Sequence, residues 1–160
     1  MVETVDSKIP PNATNLLASS LLLSYAVLAI MSRDFFIINP ALLVAYGQCN
    51  FCILSLGWYW QMLTSIFVHA NILHLALNTV YLDLRGRRVE RLYGAKFLLL
   101  SFFASGLVSS CFSLLWGPNA VSVGASGCVL GLAASDIMIS KRLAGQGLGS
   151  GLLTVFSFFL

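Results

Sequence analysis

The chain has 160 residues, 58% of them hydrophobic and only 9% charged, with a formal net charge of +3. A soluble domain carries roughly a quarter charged residues, so this composition excludes one and describes a membrane protein. So small a positive charge gives no reason to invoke nucleic acid, and suits at most contact with anionic lipid.

In chain order, residues 1–15 (MVETVDSKIPPNATN) are polar and are expected to form a cytoplasmic N-terminal tail. They do not read as a secretory signal, because the apolar run that follows has no small-residue cleavage site leading into a soluble segment. Asn12 opens a formal glycosylation triplet, weak evidence alone and expected on the wrong side of the membrane. Residues 16–160 are expected to form one all-α transmembrane domain. Apolar runs cover 16–31, 66–84, 95–115, 121–139 and 148–160, and roughly 17 to 25 such residues cross a bilayer as a helix. Four full spanning helices and a partial fifth are therefore expected, the last run stopping short by its length. On that reading the C-terminus is cut off.

If the helices alternate, Lys8, Arg85, Arg87, Arg88, Arg91, Lys96, Lys141 and Arg142 share one side and only Arg33 lies on the other. Positively charged loops stay in the cytoplasm, so the N-terminus is expected inside. The second and fourth predicted helices then both start at the outer face, and their N-terminal halves share one depth. The connection 33–61 is too long for an ordinary loop. Its apolar stretches are interrupted by Gly47, Gln48 and Asn50 and end in Trp58, Tyr59 and Trp60. A partly helical segment lying in the outer headgroup region against the bundle is expected.

The second helix opens with HANILHLALN. His69, Asn71, His74 and Asn78 are polar groups in hydrocarbon, which must find partners or water. His74 and Asn78 are 40° apart on a helix and share a face one turn apart, with His69 off it or in the preceding loop. Such residues commonly tie helices together. Two histidines without a nearby acid make an incomplete metal set, so neither metal nor cofactor is expected.

The fourth helix carries GASGCVLGLAAS, in which Gly127, Gly131 and Ser135 recur every four residues as a stripe for close helix approach. Ser126 stands at its N-terminus. There a serine serves as a helix cap, or as a nucleophile beside backbone N–H groups that face a developing oxyanion. With His74 and Asn78 at the matching depth, acyl transfer becomes a coherent reading, provided a base takes the serine's proton. Asp83 and Asp136, near the inner helix ends, are expected to be solvated and uninvolved in catalysis. Ser122 and Ser135 are read as loop and packing groups. Cys49 and Cys52 allow a disulfide or half a zinc site, but are read first as two ordinary loop thiols.

Taken in order, these pieces resemble the rhomboid intramembrane serine proteases from about residue 58 to residue 142. HANILHLALN is similar to the family's H-x4-H-x3-N, GASG to its G-x-S-G, and GRRVERLYG to the G-x3-E-x3-G turn between its second and third helices. WYWQMLTSIFVH resembles the approach to its second helix, with Gln61 where the family has Arg. The resemblance implies a serine-type endopeptidase that cuts transmembrane segments of other membrane proteins near their outer ends. Ser126 would be the nucleophile, His74 and Asn78 would stabilise the oxyanion, and His69 would lie in the same polar pocket. It also implies six core helices around a water-filled, outward-opening cavity, with the base histidine on the sixth. These 160 residues hold two histidines, both near the second helix, so no base histidine is identified in them, and the glycine stripe is expected to lack its partner helix. Three readings follow: a deletion or truncation product of a protease gene, a chain completed by a partner that supplies the missing helices, or a pseudoprotease that binds transmembrane helices without cutting them. A small channel or transporter would also place polar groups in helices, but no internal repeat or charge pathway supports it.

Overall fold

The computed structural model describes residues 12–143 and Gly145. The predicted tail residues 1–11 and the apolar run 148–160 lie outside the described residues. Helix α1, Asn12–Ser32, starts four residues before the predicted run. Ala13, Leu17, Leu21, Tyr25 and Leu28 recur at helical spacing and are buried on one side, whereas Leu16, Leu23 and Ile30 stand outward as a lipid-facing side would. Its first turn is closed from a distant part of the chain. Glu90 accepts hydrogen bonds from the backbone N–H of Ala13 and of Thr14, both at 2.9 Å, and from Thr14 Oγ1 at 2.6 Å. Those N–H groups have no partner within the helix, and a carboxylate suits the positive end of its dipole.

The connection 33–61 is partly helical, as expected, and with the residues after it forms short pieces: α2, Pro40–Tyr46; α3, Asn50–Leu56; α4, Gln61–Thr64; and a 3₁₀ turn, Ser65–Phe67. The all-α expectation omits one feature, a two-residue strand β1 (Gln48–Cys49) paired antiparallel with β2 (Val121–Ser122). Buried polar side chains hold this segment down. Gln61 Nε2 donates to the carbonyls of Val44 and Ala45 while its Oε1 accepts from Cys49 N–H. Asn50 Nδ2 donates to the carbonyls of Ser113 and Gly117, and Gln48 Nε2 donates to the carbonyl of Ser110. Cys49 and Cys52 form a disulfide rather than standing as two loop thiols. The turn of α3 brings their Cα atoms to 5.2 Å, inside the range a disulfide bridges.

Helix α5, Ile72–Trp116, is one helical run broken at a single residue, Gly94, whose φ of 83° is left-handed. The charged stretch 85–93, expected to be a connecting turn, is helical, and the reversal is confined to Gly94. Asp83 and Arg87, four apart, pair along this helix. Gly86 lets α1 approach, since a Cβ there would lie 3.0 Å from Thr14 Cγ2, while Glu90 caps α1. Gly86, Glu90 and Gly94 therefore serve close packing, capping and turning respectively.

Helix α6, Ser126–Leu143, packs on both limbs of α5. Along the first limb, residues near 74 meet residues near 124 and Arg85 meets Asp136, so the two run parallel. Along the second limb, Ser109 meets Gly127 and Ser105 meets Gly131, so those two run antiparallel. Gly127 and Gly131 of the stripe thus have the second limb of α5 against them. A Cβ on Gly127 or Gly131 would collide with Ser109 or Ser105, and Ser105 Oγ also donates to the Cys128 carbonyl at 3.2 Å. Asp136 departs from expectation: it is 2% exposed, not solvated, and pairs with Arg88 at 3.1 Å and Arg85 at 3.5 Å. The parallel arrangement sets it opposite those arginines, where an unpaired buried carboxylate would be costly.

Among the described residues, α1 and the run Ile72–Leu115 are long and apolar enough to cross a membrane, and α6 carries the shorter apolar stretch Ser126–Met138.

Candidate active site

Three short sequence elements converge at one end of the bundle: the stretch 65–71 ahead of α5, the first turns of α5, and the stretch 121–126 that leads into α6. Asn71 caps α5, its side chain accepting from His74 N–H at 2.8 Å. That cap fixes the helix start beyond His69, which therefore lies in the preceding loop. His74 and Asn78 follow one turn apart, and the Asn78 amide donates one hydrogen bond to the His74 carbonyl at 2.9 Å. An amide nitrogen carries two N–H donors, so one remains for a further acceptor.

The stretch before Ser126 is pinned from the α5 side. Gly124 N–H donates to the Ser65 carbonyl at 2.9 Å, and Ala125 N–H donates to His69 Nε2 at 3.4 Å. Gly124, with φ of 107°, lies flat under the His74 ring, where a Cβ would be 2.6 Å from Cε1. An L side chain there would be strained in that conformation and would press on the His74 ring. The His69 and His74 rings meet edge to face, centroids 5.1 Å apart. His69 is fully buried, with the Phe67 backbone beside its ring.

Ser126 opens α6 and is exposed. It lies on the wall of two cavities. One, of about 370 Å³, is an otherwise apolar groove between the first limb of α5 and α6, with His74, Asn78 and Ser126 along it and Arg85 also on its wall. The other, of about 400 Å³, lies toward the second limb and is rich in hydroxyls, with Ser109, Ser113, Ser122 and Gln48 beside Ser126. The structure thus brings Ser126, His74, Asn78 and His69 to one place. Sequence reasoning missed Gly124, Ser65 and the serines at 105, 109 and 113. The four-residue recurrence of those serines was a visible signal, since it sets them on one face of a helix. Chemically, the first-turn N–H groups of α6 have no acceptor within their helix. Together with donors on His74 and Asn78 they are suited to an oxygen that gains negative charge next to Ser126.

Against known proteins, residues 56–159 match the family model described as Rhomboid domain. The chain is 30% identical over 142 residues to Rhomboid protease GluP of Bacillus subtilis (strain 168), covering 82% of this chain and 28% of that protein. It is 33% identical over 127 residues to Rhomboid-like protease 3 of Toxoplasma gondii, covering 77% of this chain and 48% of that protein. It is also 43% identical over 84 residues to the chloroplastic Rhomboid-like protein 11 of Arabidopsis thaliana, covering 52% of this chain and 30% of that protein. The chain thus spans less than half the length of each of these curated relatives. No solved structure matches it.

Proposed function

The chain belongs to the rhomboid family of integral membrane proteins, and from that premise we propose that it carries the nucleophile and the oxyanion site of an intramembrane serine endopeptidase. In this reading Ser126 Oγ attacks the scissile carbonyl carbon of a substrate transmembrane segment. The carbonyl oxygen takes up negative charge opposite the first-turn N–H groups of α6 and the side chains of His74 and Asn78. The Oγ proton passes to a base, and on collapse of the intermediate the peptide C–N bond breaks and the leaving amine takes that proton. Water then hydrolyses the acyl-serine. The hydroxyl-lined cavity beside Ser126 is a route by which water reaches the ester.

Both histidines of these 160 residues are placed on the oxyanion side, so the base is proposed to come from outside them, on further chain or on a partner. We place the N-terminus in the cytoplasm and the site toward the outer face, with α1, the two limbs of α5, and α6 as four spans, on the distribution of Lys and Arg.

The observation that carries the proposal is that Ser126 heads α6 and shares one cavity wall with His74 and Asn78. Fluorophosphonate labelling of the membrane-embedded protein tests it. Labelling is expected, and is expected to vanish in Ser126→Ala with no change in thermal stability. Absence of labelling in a folded protein supplied with the base, on further chain or by a partner, sinks the enzyme reading in favour of a helix-binding pseudoprotease.

A further inference from the structure

The dipeptide ahead of Ser126 is held at both of its N–H groups by the stretch ahead of α5, and one of those holds is a side chain. The Ser65 carbonyl takes Gly124 N–H at 2.9 Å; His69 Nε2 takes Ala125 N–H at 3.4 Å. Ala125 and His69 are both 0% exposed, so neither turns to solvent if that bond is lost, and a buried N–H without a partner is costly. Ala125 in turn begins the helical ladder, its carbonyl accepting from Val129 N–H at 2.9 Å. The position of Ala125 therefore sets where α6 starts and where Ser126 points.

We propose that His69 is a positioning residue for Ser126, acting as a neutral imidazole whose Nε2 anchors Ala125. The chemistry of the ring then decides a second matter. A nitrogen that accepts a hydrogen bond carries no proton, so in the neutral ring the proton is on Nδ1. With its one free lone pair committed to Ala125, His69 does not take the proton of Ser126. It also supports His74 by edge contact at 5.1 Å, keeping that ring over Gly124. A histidine kept only to fill core volume would be replaceable by phenylalanine, whereas a histidine kept for Nε2 is replaceable by glutamine, whose side-chain oxygen accepts at a similar reach.

The functional half of this proposal rests on the reading of Ser126 as nucleophile; the hydrogen bond and the tautomer do not. The experiment is therefore nuclear magnetic resonance on the ¹⁵N-labelled chain in micelles, with amide exchange at Ala125, in wild type, His69→Phe and His69→Gln. Expected in wild type are an unprotonated Nε2, a protonated Nδ1 and a protected Ala125 amide. In His69→Phe, Ala125 exchange rises about tenfold or more while amides deeper in α6 hold, and in His69→Gln it returns to within about threefold of wild type. Should His69→Phe fail to fold, the wild-type tautomer and His69→Gln still decide. A protonated Nε2 in wild type overturns the proposal, as does equal Ala125 exchange in the Phe and Gln variants. Fluorophosphonate labelling of the same variants, with the base supplied from outside these residues, is expected to fall in His69→Phe and recover in His69→Gln. A wild-type chain that never labels even when the base is supplied on further chain or by a partner, yet shows the expected tautomer and the protected Ala125, supports the anchor and overturns the nucleophile reading instead.

Discussion

The two limbs of α5 receive α6 in opposite ways. The second limb offers Ser105, Gly106 and Ser109 to Gly127, Gly131 and Cys128, so that a single added Cβ on either side collides. The first limb meets α6 through His74 and Asn78 at one end and through Arg85 and Arg88 on Asp136 at the other, with an open groove between. Close backbone packing of small residues, which depends on dispersion and has no tolerance for volume, holds α6 in place. Polar side chains that need room and a partner then occupy the adjacent face. One helix thus separates what holds it against the bundle from what surrounds Ser126.

That division can be broken on either side. The largest expected effect is on the packing side: Gly131→Leu drives a side chain into Ser105 and should destabilise the bundle by about 3 kcal/mol, read by thermal or denaturant unfolding in micelles. Unchanged stability would mean the stripe does not lie on the second limb. On the polar side, Asn78→Ala should lower the rate of fluorophosphonate labelling of Ser126 by about 10²-fold, the cost of one oxyanion donor, with little change in unfolding. A parallel loss of both would make Asn78 a helix tie and not an oxyanion group. Asp136→Asn leaves Arg85 and Arg88 partly exposed and hydrated, which softens the cost of breaking a buried pair to about 1–2 kcal/mol of stability; labelling is expected to stay intact. Smallest is Glu90→Gln, which keeps an acceptor but removes the charge at the start of α1. A loss of about 1 kcal/mol is expected, with local amide exchange rising at Ala13 and Thr14 and not at α6.

Much of this was legible in the residues. The helical stripe of α1, the start of α6 at Ser126, the one-turn spacing of His74 and Asn78, and their shared depth with Ser126 all follow from periodicity and alternation of spans. Element ends were less legible. The charged run 85–93 reads as a loop because charge breaks the apolar pattern, yet nothing in it stops a helix until Gly94. Asp136 read as solvated because its partners lie some fifty residues earlier, and Cys49 and Cys52 read as loop thiols because a three-residue spacing alone does not say that a helical turn joins them. Gln61 offered no signal for its role: only the fold brings the Val44, Ala45 and Cys49 backbone around it.

By itself the amino-acid sequence determined that the chain is a membrane protein, which faces of its helices bear polar groups, and that Ser126, His74 and Asn78 share a level. These are local properties: periodicity sets which side chains share a face, and hydropathy sets where a helix must lie. Only the tertiary structure decided which limb of α5 accepts the glycine stripe, that Glu90 caps α1, that Gly124 passes beneath His74 and that Ala125 donates to His69. Each of those joins residues dozens of positions apart, and the choice among possible partners depends on the volume and hydrogen-bond geometry of every helix packed at once.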